Sequence, residues 1–404
     1  MTHIVVIGAG QAGASLVAKL RSQGFDGQIT LIGAEAVPPY QRPPLSKAYL
    51  LGDMAEERLY LRPAAFYVDH QIDLRLETRA EAIDAKARTV SLSDGSTLSY
   101  DHLALTTGSH PRTLPASIGG ALGGVFCVRD LKDADAMAPA FTAGKKVLII
   151  GGGYIGLEAA AVASKLGLHV TLVEMADRIL QRVAAPETSD YFRDLHQSHG
   201  VDIREGLGLD RLTGEGHVSG AKLTDGTMLE IDFAIVGVGV TPAIALAESA
   251  GLATRNGITT NALGQTSDPH IWAAGDCASS IFKGETIRLE SVGNAIDQAE
   301  TVAINMLGAD HRYTPKPWFW SDQYDCKLQI AGLNTGYDAV YVRMGDTSGV
   351  QSNWYYKGDT LLAVDAMNDP RNYMIGKRLI EAGKSPSPAA ITDPATDMKG
   401  LLSA

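Results

Sequence analysis

Gly8-Ala-Gly-Gln-Ala-Gly13 and Gly151-Gly-Gly-Tyr-Ile-Gly156 are the two stretches of sequence that decide the fold. Each has the spacing GxGxxG, follows a short apolar run and precedes a helix-like segment. An acidic residue follows the next apolar run in both copies, Glu35 in the first and Glu174 in the second. In such a motif the glycines permit a tight turn, a close pyrophosphate and close helix packing, and the acid accepts hydrogen bonds from a ribose. Two motifs in register predict two dinucleotide sites.

A second repeat indicates that a whole domain is duplicated. Residues 90–101 read VSLSDGSTLSYD, and residues 221–232 read AKLTDGTMLEID. Each segment predicts an Asp-Gly hairpin that leads into a buried strand. The two copies are 143 residues apart from Gly8 to Gly151, but 131 apart from Asp94 to Asp225. The first copy therefore holds 12 extra residues, which we assign to the Pro-rich segment 38–47.

The rest of the chain continues the same pattern and then departs from it. A short apolar run ends in Gly275-Asp276, and a helix is predicted over 293–307. From residue 317 the sequence changes to strand-like runs with turns, which predicts an α+β unit. The tail beyond residue 384 is rich in Pro, Ser and Ala, and we expect it to be loosely held.

Composition excludes several functional classes. The 404 residues include 46 acidic and 35 basic residues, a formal charge of −11, which disfavours general binding to nucleic acid or an anionic membrane. Because no long apolar run and no signal segment are evident, we expect no membrane span and a cytoplasmic location. The three cysteines, Cys127, Cys277 and Cys326, are far apart in sequence, so we expect neither a disulfide framework nor a metal site.

Beyond these inferences, the chain resembles a known family across essentially its whole length. It is similar to the flavoprotein reductases with two dinucleotide-binding domains. Within them it resembles the putidaredoxin-reductase-like enzymes, which use FAD and NADH and serve [2Fe-2S] ferredoxins in bacterial oxygenase systems. The segments that carry the resemblance are Arg42–Lys47 (RPPLSK), 151–158 (GGGYIGLE), 273–276 (AAGD), 290–292 (ESV) and 317–324 (PWFWSDQY).

The resemblance implies an architecture. The expected fold is α/β, with two Rossmann-like dinucleotide-binding domains in the glutathione-reductase-like arrangement and a C-terminal α+β domain. The implied domains are a discontinuous FAD-binding domain (1–108 and 241–316), an NAD-binding domain (109–240) and the C-terminal domain (317–404).

The resemblance also implies roles for individual residues. Lys47, beside the flavin and able to pair with Glu158, and Trp320, at the exposed flavin edge, are the implied catalytic residues together with Glu158 and Tyr154. The remaining residues implied to hold FAD are Gly8, Gly10, Ala12, Gly13, Glu35, Arg42, Ala80, Arg129, Gly275, Asp276 and Val292. Those implied to hold NAD are Gly151, Gly153, Tyr154, Ile155, Gly156, Glu158, Glu174, Arg182 and Gly239.

Glu174 bears on the choice of nicotinamide cofactor. A carboxylate at this position repels the 2′-phosphate of NADP and favours NADH. Two nearby arginines, Arg178 and Arg182, point the other way, since an arginine accommodates a 2′-phosphate.

The implied reaction passes a hydride from NADH to FAD and then single electrons to a [2Fe-2S] ferredoxin that feeds an oxygenase such as a cytochrome P450. Because such ferredoxins are usually acidic, docking to a chain of charge −11 requires a local basic rim. The candidates for this rim are Arg62, Arg288, Lys316 and Lys327, with Trp318 at the partner surface.

Cysteine usage separates this chain from thiol-reducing relatives. Residues 36–60, where a disulfide reductase would carry its redox cysteines, contain none. We therefore expect no disulfide or cysteine-based peroxidase chemistry. Two alternatives stay open: a flavoprotein that reduces quinone or oxygen directly, and an NADH-sensing binding protein that resembles the apoptosis-inducing flavoproteins.

Overall fold

The computed structural model describes residues 1–403. The strands within these residues are β1 (His3–Ile7), β2 (Gln28–Ile32), β3 (Ile72–Arg75), β4 (Ala80–Asp84), β5 (Thr89–Leu92), β6 (Thr97–Ser99), β7 (His102–Leu105), β8 (Ser109–Pro111), β9 (Val125–Phe126), β10 (Lys146–Ile150), β11 (His169–Glu174), β12 (Asp202–Glu205), β13 (Leu209–Thr213), β14 (Gly220–Leu223), β15 (Met228–Glu230), β16 (Phe233–Val236), β17 (Val240–Pro242), β18 (Ile258–Thr259), β19 (Ile271–Ala273), β20 (Ala278–Phe282), β21 (Glu285–Ile287), β22 (Trp318–Gln323), β23 (Cys326–Gly332), β24 (Ala339–Met344), β25 (Gln351–Lys357) and β26 (Thr360–Met367). The α-helices within them are α1 (Gln11–Ser22), α2 (Ala64–Asp69), α3 (Leu131–Met137), α4 (Tyr154–Lys165), α5 (Pro186–Ser198), α6 (Ala245–Ser249), α7 (Val292–Met306), α8 (Pro370–Glu381) and α9 (Pro388–Thr392).

One compact unit comprises residues 1–41, 56–110 and 240–317. Its parallel sheet has the strand order β19-β7-β1-β2-β3. Both faces of this sheet are covered: Leu16 and Val302, from α1 and α7, pack on one side, and Val90 and Ile258 pack on the other. This explains why β1 is apolar without interruption from Ile4 to Ile7, because a parallel strand covered on both faces has no polar side.

A second compact unit comprises residues 42–55, 111–239 and 318–404. Its parallel sheet has the order β12-β11-β10-β16-β9. An antiparallel sheet of order β22-β23-β26-β25-β24 lies in the same unit. Leu157 of α4 and Phe233 of β16 share a hydrophobic cluster with Leu328 and Met367 of the antiparallel sheet. The two sheets of this unit are therefore joined through a common core.

The two parallel sheets are copies of one plan, as the repeats predict. In each sheet the first strand of the copy lies between the second strand and the strand that follows the Asp-Gly hairpin. The aspartate at the end of each hairpin segment accepts a hydrogen bond from the equivalent backbone N–H of its own copy. Asp101 accepts a hydrogen bond from the backbone N–H of His3 at 2.7 Å, and Asp232 accepts one from the N–H of Lys146 at 2.8 Å. The duplication thus extends to individual hydrogen bonds.

The 12 extra residues of the first copy lie between its second and third strands. Thr30 of β2 pairs with Asp73 of β3, 43 residues further along the chain. The equivalent residue Thr171 of β11 pairs with Asp202 of β12, only 31 residues further along. The difference of 12 falls in the interval that contains the Pro-rich segment, which confirms the predicted place of the insertion.

The C-terminal tail is packed, and the expectation of a loose tail is wrong. Ile391 of α9 is fully buried and Met398 is 3% exposed, both in a cluster with Trp354. Arg343 donates hydrogen bonds to the carbonyl oxygens of Ile391 and Asp393 at 2.8 and 2.7 Å. Composition alone misled because a few well-spaced apolar residues are enough to anchor a Pro-rich segment. Among residues 1–403, no helix is long and apolar enough to cross a lipid bilayer.

We expect Gly156→Ala to destabilise the second unit while Gly153→Ala does not. A Cβ on Gly156 would lie 2.1 Å from the carbonyl oxygen of Gly151, so α4 must shift, and we expect a loss of about 1–3 kcal/mol. A Cβ on Gly153 meets no atom within 4 Å, and its φ of −81° suits alanine. Urea unfolding followed by circular dichroism measures both variants. Equal unfolding midpoints for the two would contradict this account of the turn.

Candidate functional site

The glycine turn of the first unit is held by close backbone packing. Gly8 has φ +115°, and a Cβ there would lie 2.2 Å from the carbonyl oxygen of Thr106. A Cβ on Gly13 would lie 2.1 Å from the carbonyl oxygen of Gly8. Gly10 differs, because nothing lies within 4 Å of the place of its Cβ, and it precedes α1 without a side-chain cap. The turn therefore leaves an open approach to uncapped N–H groups, which suits a phosphate.

The glycine turn of the second unit repeats this geometry and adds a carboxylate. Gly151 has φ +106°, and Gly153 precedes α4 with open space around it and no side-chain cap. Glu174, at the end of β11, accepts hydrogen bonds from the backbone N–H groups of Gly152 at 2.7 Å and Ala176 at 2.8 Å. Glu174 is therefore fixed against the turn. A carboxylate has about four lone-pair directions, so these two bonds leave acceptor capacity for a ribose.

Arg182, a further residue predicted to hold NAD, lies beside Gly239. A Cβ on Gly239 would lie 3.6 Å from a terminal guanidinium nitrogen of Arg182, which is exposed. Arg178 is committed elsewhere: its guanidinium donates to the hydroxyl of Ser189 and, at 2.8 Å, to the carbonyl oxygen of Ala184. Of the two arginines that could accommodate the 2′-phosphate of NADPH, only Arg182 is exposed.

The Gly275-Asp276 turn lies at the end of β19 in the first unit. The N–H of Gly275 donates to the side-chain oxygen of buried Gln298 at 2.9 Å, which ties the turn to α7. Asp276 accepts a hydrogen bond from the Ser109 hydroxyl at 3.1 Å. A Cβ on Gly275 would lie 3.1 Å from the Cβ of Ala12, so this turn is adjacent to the start of α1.

Three further predicted FAD residues occupy defined places in the first unit. Val292 is the first residue of α7, whose preceding Ser291 accepts a hydrogen bond from the N–H of Asn294 at 3.2 Å. Glu35 accepts a hydrogen bond from the Tyr40 hydroxyl at 2.6 Å. Ala80 begins β4, next to an irregularity in its pairing with β5. Val292 thus stands where a helix N-terminus presents positive charge.

Two predicted flavin residues meet in the second unit. Arg42 donates a hydrogen bond to the carbonyl oxygen of Arg129 at 2.7 Å. The N–H of Arg129 donates to Asp133 at 2.9 Å, in the turn that begins α3. The backbone at Arg129 is therefore held from both sides.

The Lys47–Glu158 ion pair predicted from the resemblance is present and largely buried. The Lys47 ammonium lies 2.9 Å from Glu158 Oε1, with the two side chains 16% and 6% exposed. The hydroxyls of Ser46 and Ser321 donate to the same carboxylate at 3.0 and 2.7 Å. Burial raises the pKa of Glu158, and the ammonium and the two hydroxyls act against this rise. With three donors around an acceptor, the geometry favours the ionised carboxylate.

Aromatic side chains surround the start of α4 and the strand beside it. Tyr154 packs against Phe319 with ring centroids 4.9 Å apart, and its buried hydroxyl has no hydrogen-bond partner among residues 1–403. Ile155 is 42% exposed. Phe319 lies on one face of β22. On the opposite face, Trp318 and Trp320 stack with ring centroids 5.4 Å apart. This face of β22 thus presents a pair of aromatic rings.

The candidate docking cations are not equivalent. Arg62 is exposed over the ring of Phe66, and Lys316 is exposed. Lys327 is 58% exposed and pairs with Asp322 at 3.1 Å. Arg288 is not available as a docking cation, because its side chain is only 9% exposed. Its guanidinium bonds to the carbonyl oxygen of Asp276 and to the carboxylate of Glu290.

The cysteines are poor redox groups. Burial raises the pKa of Cys127, of Cys277 and of Cys326, the last to about 11. A thiol with a raised pKa is a weak nucleophile, because the thiolate is the reactive form. Burial therefore makes these three thiols weaker nucleophiles than a solvent-exposed cysteine.

Sequence reasoning missed the polar residues that surround Glu158. Ser46 lies inside the Arg42–Lys47 motif and was not singled out. Ser321 lies on β22, where it alternates with the tryptophans and so faces the opposite side. That alternation was a usable signal, since a serine and a glutamine at alternate positions of an apolar strand indicate buried polar partners.

The residues of both units fit dinucleotide cofactors. Each glycine turn provides an open place at its second glycine, directly before an uncapped helix N-terminus. The carboxyl ends of β10, β11 and β16 bring together Gly151, Glu174 and Gly239, as expected at the edge of a parallel sheet where ligands bind.

Comparison with known proteins agrees with this geometry. Residues 2–299 match the family model described as pyridine nucleotide-disulphide oxidoreductase, and residues 318–402 match the model described as reductase C-terminal. A ferredoxin–NAD(P)+ reductase of Sphingomonas is 43% identical and covers 99% of this chain and 98% of its own. Rhodocoxin reductase of Rhodococcus erythropolis is 42% identical, covering 96% and 92%.

A solved structure gives the same answer for the fold. The reductase chain of a covalent putidaredoxin reductase–putidaredoxin complex superposes with a TM-score of 0.96 at 40% identity, and the match covers 100% of this chain and 98% of that one. The expected α/β fold with two dinucleotide-binding domains and a C-terminal reductase domain is confirmed. The chain therefore belongs to the pyridine nucleotide-disulphide oxidoreductase family, and within it to the ferredoxin reductases that use FAD and a nicotinamide dinucleotide.

Proposed function

We propose that this protein oxidises NADH and delivers single electrons to a [2Fe-2S] ferredoxin that serves an oxygenase, such as a cytochrome P450 or a Rieske enzyme. The observation that carries the proposal is the duplicated glycine turn, which offers two separate dinucleotide sites in one chain. The full-length relatives are named as reductases of ferredoxins, which supports the choice of electron acceptor. We expect the enzyme to act in the cytoplasm.

The proposed domains assign one cofactor to each turn. We assign FAD to residues 1–108 and 241–316, NAD to 109–240, and a supporting role to 317–404. FAD, when bound, accepts a hydride from NADH and releases electrons one at a time. The residues proposed for FAD are Gly8, Gly10, Ala12, Gly13, Glu35, Arg42, Lys47, Ala80, Arg129, Gly275, Asp276, Val292 and Trp320. Those proposed for NAD are Gly151, Gly153, Tyr154, Ile155, Gly156, Glu158, Glu174, Arg182 and Gly239.

These residues contribute charge and orientation rather than covalent chemistry. Val292 at the start of α7 provides N–H groups that stabilise negative charge. The Lys47 ammonium is held in position by the Glu158 carboxylate, which lies 2.9 Å away. Asp276 and Glu174 accept hydrogen bonds from cofactor hydroxyls, and each is itself held by a donor of the protein. Such a preorganised set costs little reorganisation during the reaction.

The partner surface follows from charge and exposed aromatic rings. We propose that the ferredoxin docks near Arg62, Trp318 and Lys327. Because the chain has a net charge of −11, only a local group of basic residues can attract an acidic ferredoxin. We therefore expect ferredoxin binding to weaken as the salt concentration rises, and long-range electrostatic attraction to contribute little to the association rate.

A coupled assay tests the function. We expect NADH to reduce cytochrome c rapidly through the purified flavoprotein only when a [2Fe-2S] ferredoxin is added. Rapid reduction of quinone or oxygen without ferredoxin would favour the direct oxidase. A long-lived charge-transfer complex with NADH and little turnover would favour the NADH-sensing protein. Stopped-flow absorbance of the flavin band and steady-state turnover give both readings.

Matched substitutions in the two turns test the cofactor assignment. The places of the Cβ atoms of Gly10 and Gly153 are open, so a valine there is expected to block phosphate without clashing with protein. We expect Gly10→Val protein to purify without flavin. We expect Gly153→Val protein to keep its flavin but to lose at least about tenfold in flavin reduction by NADH, a loss of 1.4 kcal/mol or more of cofactor binding. Absorbance spectra measure the flavin content, and stopped-flow absorbance measures the rate of flavin reduction. Loss of flavin from Gly153→Val instead of Gly10→Val would show that the FAD and NAD assignments are reversed.

Substitution of Glu174 tests the preference for NADH. Glu174→Ala removes the acceptor for Gly152 and Ala176 and the charge that repels a 2′-phosphate. We expect the KM for NADH to rise about tenfold or more and the ratio of NADH to NADPH efficiency to fall, since a hydrogen bond to a charged group contributes about 1.5–3 kcal/mol. Asp177→Ala, an exposed site three residues on, removes the same charge and controls for general electrostatics. An unchanged cofactor ratio in Glu174→Ala would refute the assignment.

A further inference from the structure

A chain of hydrogen bonds leads from the buried Glu158 carboxylate to the edge of the second unit. It runs through Ser321, Gln323, His196 and Tyr324, and we call these four residues the donor chain. Ser321 donates to Glu158 at 2.7 Å, and Gln323 donates to the Ser321 hydroxyl at 3.1 Å. His196 Nε2 lies 2.8 Å from Gln323 Oε1, and the Tyr324 hydroxyl lies 3.2 Å from His196 Nδ1.

All four bonds of the donor chain point the same way. Gln323 Oε1 can only accept, so His196 carries its proton on Nε2, and Nδ1 then accepts from the Tyr324 hydroxyl. Because Ser321 receives a bond from Gln323, its own proton is directed to Glu158. Each residue therefore donates towards the carboxylate. Hydrogen bonds arranged in such a series polarise one another and strengthen the last bond.

His196 stays neutral in this position, which keeps the direction of the series. It is fully buried, and burial lowers its pKa to about 4, helped by nearby His199 and opposed by Gln323. Ser321 and Gln323 are also buried, at 0% and 1% exposure. A neutral histidine has one donor and one acceptor nitrogen, and both are used here.

The backbone conformation at the outer end of the donor chain is unusual. Tyr324 has φ +55°, a left-handed conformation that is uncommon for a residue other than Gly, Asn or Asp. It occupies the turn between β22 and β23, and its ring stacks on His199 at 3.7 Å. In this conformation the tyrosine hydroxyl lies 3.2 Å from His196 Nδ1.

Three other charged residues lie near the inner end of the donor chain, and each has a partner. Lys47 is the cation that acts on Glu158. Asp322 lies on the other face of β22 and pairs with Lys327. From β26, Asp365 acts on Tyr154 and accepts hydrogen bonds from Thr188 and Tyr355. We therefore expect a change in the pKa of Glu158 to reflect changes in its contacts with Lys47 and with the donor chain.

We propose that the donor chain is a positioning device that keeps the Glu158 carboxylate ionised and so holds the Lys47 ammonium in place for the reaction with NADH. The proposal rests on the proposed function for its consequence in catalysis, but its effect on Glu158 is independent of any electron acceptor. The four residues are positioning residues, since they act through Glu158.

The experiment measures the pKa of Glu158 in the flavin-containing protein. Infrared pH titration follows its carboxyl stretch, which Glu158→Gln identifies. We expect Ser321→Ala to raise this pKa by about one pH unit, Gln323→Leu by somewhat less, and Tyr324→Phe least. The active ionised form is present above the pKa, so the fall in the rate of flavin reduction by NADH moves to higher pH by the same amounts.

Two comparisons separate positioning from general damage. The double variant Ser321→Ala/Gln323→Leu should match Ser321→Ala alone, because Gln323 acts only through Ser321. Asn353→Leu removes another fully buried amide of the same sheet, which bonds to Thr188, and should leave the Glu158 pKa unchanged. If Gln323→Leu does not fold, Tyr324→Phe combined with Ser321→Ala makes the same test.

An unchanged Glu158 pKa in the chain variants, additive shifts in the double variant, or an equal shift in Asn353→Leu would each overturn the proposal. Failure of the wild-type protein to reduce ferredoxin would instead refute the proposed function. The infrared titration would stand in that case, so the two failures are distinguishable.

Discussion

The close approach of the third glycine of each motif to the carbonyl oxygen of the first is the constraint on which both sites depend. At Gly13 and at Gly156 a Cβ would lie 2.1 Å from that oxygen. Only glycine lets the helix start so close to the strand, and the helix N-terminus is thereby aimed across the turn. The second glycine has open space around it, and we propose that a phosphate approaches there. Packing and binding are thus two consequences of one backbone geometry.

The position of Glu158 follows from the same constraint. It lies two residues after Gly156 on α4, so the helix that begins at the glycine turn also carries the carboxylate into the core. A charge buried there without partners would cost about 3–5 kcal/mol. Lys47, Ser46 and Ser321 supply those partners from two other segments of the unit. The site is therefore assembled around the carboxylate, and each of these donors lowers its pKa.

The parts of this fold that could be predicted from sequence are those encoded locally. The glycine turns, the acids Glu35 and Glu174, and the Asp-Gly hairpins depend on residues within about 30 positions, and all were recognisable. The partners of Glu158 depend on β22 and α5, which are 163 and 38 residues away at Ser321 and His196. The alternation along β22 indicates that Ser321 is buried, but no periodicity identifies the residue that it contacts. The loose tail was mispredicted for a related reason, because Ile391 is held by a sheet that is distant in sequence.

The two copies differ at the residues that form the Lys47–Glu158 ion pair. The residue equivalent to Glu158 at the offset of 143 is Ser15, which is neutral, so the first copy has no buried charge at this position. In the first copy the interval between β2 and β3 contains the insertion, and its residues 42–55, including Lys47, belong to the second unit. In the second copy the equivalent interval contains α5, which carries His196. The corresponding intervals of both copies therefore act on one carboxylate, Lys47 directly and His196 through Gln323 and Ser321. The duplicated fold accounts for the two glycine turns, whereas the ion pair is formed by residues at which the two copies differ, one helix position and one longer loop.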